Sequence, residues 1–349
     1  MSDSLEERAL RARASLNRAT SARPVPVLHT TREPAAHRIP RWAAPAVAAL
    51  AVVAVVLGST WGGGQAPHEA VVPGAVTSVR AGELPVAVAT DGRLVWVADA
   101  GRGQVLAFDA HTLRQRWSVP VGSRPVALAV GLGAVWVVDA EGTRLLALDP
   151  DTGATRRSGR TSLDPVAVEV AFGAVWVLSA GNQTLDRYDP GTVTQSASAV
   201  LGAAGRAVTH SRTALWVSSP TGLLRVDPAA LAVRRFAVGG EPRQVVSAGG
   251  TSVWVARADQ TLVLVDGASG VVVGKPTAFS APLSSLAASG STALAATTDG
   301  QVRRYSQVGE SGRLVAAPGS PVEALAAAGR LVVGTARSTA LLYATEDSP

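Results

Sequence analysis

Beyond residue 73 the chain alternates short apolar runs with turn-forming residues, and the pattern returns every forty positions. PVAVATDGRLVWVADA starts at Pro85, PVALAVGLGAVWVVDA at Pro125 and PVAVEVAFGAVWVLSA at Pro165, with Trp96, Trp136 and Trp176 each eleven residues after the proline. A fixed period of roughly 20–50 residues marks a repeat architecture. The fourth unit begins at Gly205 without its proline and keeps Trp216 in register. The fifth begins at Pro242 and reaches Trp254 after one inserted residue, and the sixth begins at Pro282 with Leu294 in the tryptophan slot. The seventh begins at Pro321, places Val332 in that slot and runs out after about three strands.

Each unit divides into four short strands, shown in full by VAVAT at 86–90, LVWVAD at 94–99, QVLAFD at 104–109 and RQRWSV at 114–119. Alternating and β-branched runs of this length predict strands rather than helices. The third strands end on Asp109, Asp149, Asp189, Asp227 and Asp266, and Asp followed by Pro or Gly starts a turn. Four strands per repeat with no helix between units predict an all-β, seven-bladed β-propeller of four-stranded blades. The segment AVTSVRAG at 75–82 has the composition of a fourth strand and is expected to complete the last unit, closing the ring over residues 75–349.

The pattern before residue 75 is different. Residues 43–61 carry no charge and approach the roughly 20 residues that span a bilayer, so one transmembrane helix at 42–61 is expected to precede the propeller. Trp42 and Trp61 bracket the span, Arg38 and Arg41 precede it, and the next basic residue is Arg80. The positive-inside rule then places the N-terminus in the cytoplasm and the propeller outside, as a single-pass cell-membrane protein. Trp61 in the exit sequence argues against signal-peptide cleavage and for an uncleaved anchor. Residues 1–41 form an arginine-rich cytoplasmic tail whose Ser4-Leu5-Glu6-Glu7 capping box predicts a short helix, and 62–74 form a linker.

Charge narrows the function classes. The computed pI near 10.7 suggests nucleic acid, yet residues 1–41 hold eight arginines against four acids. The remaining 24 basic and 22 acidic residues are interspersed, which gives no phosphate-tracking stripe, so no nucleic-acid partner is expected. The absence of cysteine excludes disulfides, thiolate metal sites and cysteine nucleophiles.

The A-V-W-V motif followed by a small or acidic residue and an Asp-Pro turn resembles the YVTN-type repeats of bacterial exported propellers, over residues 75–349. The chain is also similar to virginiamycin B lyase and its non-catalytic relatives, and more loosely to sensor propellers of membrane-anchored kinases. The lyase resemblance implies a histidine general base with acidic residues around magnesium. The propeller holds only His111, in a turn between third and fourth strands, and His210, in the first strand of the fourth unit. Neither is expected to form an acid–base pair, so no catalytic residue, metal or cofactor is assigned.

Candidate binding residues follow from repeat position. Asp99 and Asp139 end tryptophan strands, and Arg124, Asp164, Arg206 and Arg243 occupy the loops joining one unit's fourth strand to the next unit's first. All six are expected at one mouth of the ring, where loop residues that vary between units form a recognition surface. The five tryptophans Trp96, Trp136, Trp176, Trp216 and Trp254 are expected to pack between blades. The function expected is a monomeric, non-enzymatic binding, sensory or scaffold module for a protein, cell-wall or small-molecule ligand. A propeller lyase or hydrolase is the alternative.

Overall fold

The computed structural model describes residues 76–306, 312–317, 321–328, 331–336 and 340–345. Six four-stranded antiparallel sheets are each contiguous in sequence. Their first strands are Pro85–Thr90, Pro125–Gly131, Pro165–Ala171, Ala207–His210, Pro242–Ser247 and Leu283–Ser289, and they are numbered here as blades 1 to 6. In each, the strands follow chain order from the first strand outward. A further four-stranded sheet, blade 7, is a composite of Val322–Ala328, Leu331–Ala336 and Ala340–Thr345 with Val76–Arg80 at its edge. Thr77 stands opposite Tyr343 and Val79 opposite Leu341 in this closing pair. First strands of neighbouring blades pack side by side around the ring, and Pro85–Thr90 lies against both Pro125–Gly131 and Val322–Ala328.

The expected fold class, a seven-bladed propeller whose last unit is completed by residues 75–82, is corrected in its blade count. Six blades are complete within their own repeats, while the repeat from Pro321 supplies only three strands and borrows its fourth from Val76–Arg80. The described residues are all-β, and no helix among them is long and apolar enough to cross a membrane. The proposed tail helix, the span at 42–61 and the linker at 62–74 lie outside the described residues.

One register is also corrected. In blades 1 to 5 the tryptophan faces a fixed first-strand position, as Trp96 opposite Ala89 and Trp254 opposite Val246. In blade 7 that position belongs to Val333, opposite Ala326, and not to Val332. The cause is that strand pairing there begins with Val322 opposite Ala336, one residue after Pro321, whereas blade 1 pairs from Pro85 opposite Asp99.

The core consists of one cluster per blade junction. Trp96 packs with Val135 and Leu146 of blade 2, Trp136 with Val175 and Tyr188 of blade 3, and Trp176 with Leu215 and Val217 of blade 4. Trp216 and Trp254 continue the series into blades 5 and 6, and all five are essentially fully buried. Each large ring thus removes about 150–250 Å2 from water at a junction, which makes the tryptophans the cement between blades. Four of the indoles donate a hydrogen bond into an inner hairpin: Trp136 to Gly131 O, Trp176 to Ala171 O, Trp216 to Ser211 Oγ and Trp254 to Ser291 O. Trp96 Nε1 is buried with no partner among the described residues.

The third-strand aspartates set the outer turns. Asp109, Asp149, Asp189 and Asp227 each accept hydrogen bonds from the amides two and three residues on, and Asp266 accepts one from Ser269. One residue later the backbone enters the left-handed region, at Leu113, Gly153, Val193, Leu231 and Gly270. Leu113 and Val193 tolerate this because their side chains are buried in the core.

Candidate functional site: the two ends of the central channel

The seven first strands line a central channel, and its waist is a ring of aliphatic side chains at one register. Val88, Leu128, Val168, Val208, Val245, Leu286 and Leu325 line both the cavity on one side and the cavity on the other. This ring separates a cup of about 420 Å3 at the interblade-loop end from a cup of about 400 Å3 at the inner-hairpin end. The two cups differ in the chemistry left available.

At the interblade-loop end most of the candidate groups are already engaged within the fold. Asp99 is fully buried; its Oδ1 accepts hydrogen bonds from the amides of Glu83 (3.0 Å), Leu84 (2.8 Å) and Gly101 (3.1 Å), and its Oδ2 accepts one from the Gln104 side chain (3.0 Å). Gly82 presses so close that a Cβ there would lie 2.5 Å from the Asp99 carboxyl carbon. Asp139, also buried, accepts from the Arg124 amide (3.0 Å) and pairs with Arg144 (3.0 Å). Both carboxylates hold their incoming loops in place, so neither faces the mouth as expected; a buried carboxylate must spend its lone pairs on internal donors. The corresponding Arg257 of blade 5 is buried too, donating to Val238 O, Gly239 O and Thr261 Oγ1.

Arg124 and Asp164 are exposed on the loops and do not line the cup. Asp164 sits at φ 51 and its carbonyl accepts the Ala180 amide. Arg206 and Arg243 do line the cup and converge on Glu241, at 2.5 Å and 3.6 Å. A β-bulge between Pro242 and Gln244 puts Arg243 out of the pairing register at the strand entrance. The Arg206 hydrogen bond, ahead of the charges of Arg206 and Arg243, holds the Glu241 carboxyl below its ordinary range. Of the six sequence candidates, the structure therefore brings Arg206 and Arg243 together in the cup lining, while Arg124 and Asp139 meet through the Arg124 backbone amide.

The hairpin end contains a pair that the sequence reading missed. Glu169, on the first strand of blade 3, places Oε1 2.7 Å from Nδ1 of His210 on the first strand of blade 4. The expectation that His210 has no acid–base partner is corrected. The two residues lie 41 positions apart, one repeat plus one, so neighbouring strands bring them side by side. The hydrogen bond to Glu169 raises the His210 pKa, with burial opposing it. Phe172 meets the imidazole edge-on, with ring centroids 6.2 Å apart. The available signal was Glu169 itself, an acid inside the third copy of an otherwise apolar first strand. A carboxylate-held imidazole can bind an anion or transfer a proton. Among the described residues there is no group of three side chains suited to holding a metal ion.

Two hairpin tips flank this end. Leu132 and Phe172 occupy positive φ (53° each), followed by Gly133 and Gly173, also at positive φ. Two consecutive left-handed residues make the tight turn whose twist suits a two-residue hairpin, a position that Asn, Asp or Gly normally fills. Here it carries bulky apolar side chains that are 51% and 42% exposed. Unlike Leu113 and Val193, these residues gain no core packing in return for the backbone cost.

No protein-family model matches the chain, and no curated protein matches it in sequence. Solved structures do resemble it. Selenomethionine-substituted virginiamycin B lyase from Staphylococcus aureus aligns with a TM-score of 0.66 at 11% identity, covering 78% of this chain and 99% of the other. BamB from Moraxella catarrhalis aligns with a TM-score of 0.56 at 16% identity, covering 76% and 84%. At these identities the likeness concerns the fold alone. Together with the ring of four-stranded sheets, it makes the chain a β-propeller.

Proposed function

We propose that this propeller is a membrane-anchored, extracytoplasmic binding and scaffold module of the YVTN-repeat type, and that it engages a protein or cell-envelope partner at the hairpin end of its channel. The observation that carries the reading is the pair of hairpin tips at Leu132 and Phe172. Backbone cost and apolar exposure coincide there, since Phe172 stays 42% exposed despite its edge-on contact with His210, as at surfaces selected for contact. Leu163, 65% exposed in an interblade loop at the opposite end, provides a built-in control. A photocrosslinking amino acid at 132 or 172 in native membranes is expected to give a discrete adduct that position 163 does not. Equal adducts from all three, or none, would remove the reading. Topology is tested separately. The chain has no cysteine, so one introduced at 163 reports alone, and labelling of intact cells by an impermeant maleimide is expected. Protection of that cysteine until lysis would contradict the extracytoplasmic placement.

A propeller enzyme is the second reading, favoured by one observation, the Glu169–His210 pair. An imidazole held by a carboxylate has the arrangement of a general base. Turnover lost on His210→Gln would support it.

A further inference from the structure

We infer that the hairpin-end cup is a binding site for a small amphiphilic anion, an alkyl or aryl monocarboxylate, whose apolar body sits on the aliphatic ring and whose carboxylate meets His210 Nε2. The inference is read out separately from the protein-partner reading: Leu132 and Phe172 are not part of the cup lining, although Phe172 meets His210 edge-on.

Three features define the ligand. Size and polarity come first: the cup encloses about 400 Å3, and its floor is the ring that includes Val168, Val208 and Leu286. An apolar tail of several carbons is removed from water against such a floor. Most ligand pockets combine an apolar lining with a few placed polar groups.

Charge comes second. Among the described residues, Glu169 and His210 are the titratable side chains lining the cup. Glu169 Oε1 is engaged with Nδ1 of the imidazole, and Nε2 has no partner among the described residues. The His210 side chain is 46% exposed against 22% for Glu169, so the imidazole is the more accessible of the two. Protonated, its Nε2–H donates a charge-assisted hydrogen bond to an anion.

Surrounding charge comes third. Among the groups packed about His210, blade 5 contributes uncharged Val246 and Ser247, and the blade 3 hairpin contributes Phe172. Arg212, exposed on His210's own hairpin and tied by its amide to Gly250 O, forms no ion pair among the described residues. With the imidazole protonated, the charges of His210 and Glu169 cancel, and Arg212 lies outside the cup lining, so anion recognition rests on the free Nε2–H donor.

The test compares octanoate, octanol and octylamine by titration calorimetry against the whole chain in detergent, near pH 6 and near pH 8. Octanoate is expected to bind about tenfold more tightly than either analogue at the lower pH, the effect of one charge-assisted contact. That preference should shrink at the higher pH, as His210 loses its proton. His210→Gln should reduce octanoate to the affinity of octanol at both values. Val130→Trp, which fills the cup from blade 2, should abolish binding of all three probes. Equal affinities, preference for the amine, no saturable binding, or octanoate binding that survives Val130→Trp would each overturn the inference. The comparison of the three probes on the unaltered chain stands even where a variant fails to fold. Crosslinking from position 172 reads the partner surface separately, so failure of one result leaves the other intact.

Discussion

Glu169 Oε1 and His210 Nδ1 lie 2.7 Å apart across the junction of blades 3 and 4, joining two first strands that share no backbone ladder. Because the folded-state pKa of His210 is raised above 6.5, the pair contributes stability that is fully present below that value. It is lost as pH rises through the folded-state pKa. Thermal melts are expected to show a decline in Tm from slightly acid pH into the alkaline side of neutrality, and Glu169→Gln should flatten it. With nearly half of the imidazole exposed, the contribution is about 1 kcal/mol after solvent screening. A Tm that rises over the same interval in the unaltered chain would contradict the pairing.

The turn aspartates produce the opposite dependence at acid pH. Backbone and side-chain hydrogen bonds hold Asp109, Asp149, Asp189, Asp227 and Asp266 below the usual carboxylate range, with Asp149 at about 2, where the Thr152 amide is the largest cause. Depressed folded-state values mean that their stabilisation is present above the unfolded value near 3.8 and is lost as pH falls toward the folded values. Melts between pH 5 and pH 2 are expected to show a cooperative loss of stability. Asp227→Asn, which keeps an acceptor oxygen but does not titrate, should reduce its steepness.

The tryptophans separate packing from hydrogen bonding. Trp176→Phe removes core volume and leaves Ala171 O without its indole donor, whereas Trp96→Phe removes similar volume and eliminates an orphaned N–H. Urea unfolding is expected to show the Trp176 variant less stable than the Trp96 variant by about 1 kcal/mol. Equal losses would mean that the indole bonds contribute nothing beyond packing.

Much of the ring was legible because packing residues repeat while loop residues do not. A tryptophan that must fill the same junction recurs at the same spacing, so Trp96, Trp136 and Trp176 register by eye. The register slipped in blade 7 because Pro321 lies one residue before the first paired position, and nothing in RLVVGT distinguishes Val332 from Val333. The candidate site was less legible. Asp99 and Asp139 are acids at loop positions, and a sequence does not show that backbone amides consume their oxygens. Glu169 and His210 meet through the offset of adjacent strands, a relation visible only when one repeat is laid beside the next. Leu132 and Phe172 read as ordinary apolar residues until their positive φ and exposure appear together.

That coincidence provides the most direct test of the binding role. Phe172→Asn places a residue that accepts left-handed geometry at the tip and removes an exposed aromatic ring. The measurement is a paired one on this variant: Tm of the protein, and yield of the adduct formed from a photocrosslinker at 132 in native membranes. A surface kept for contact predicts a variant more stable by about 1 kcal/mol whose adduct is lost. Unchanged adduct yield in a stably folded variant would contradict a binding role for this end of the propeller.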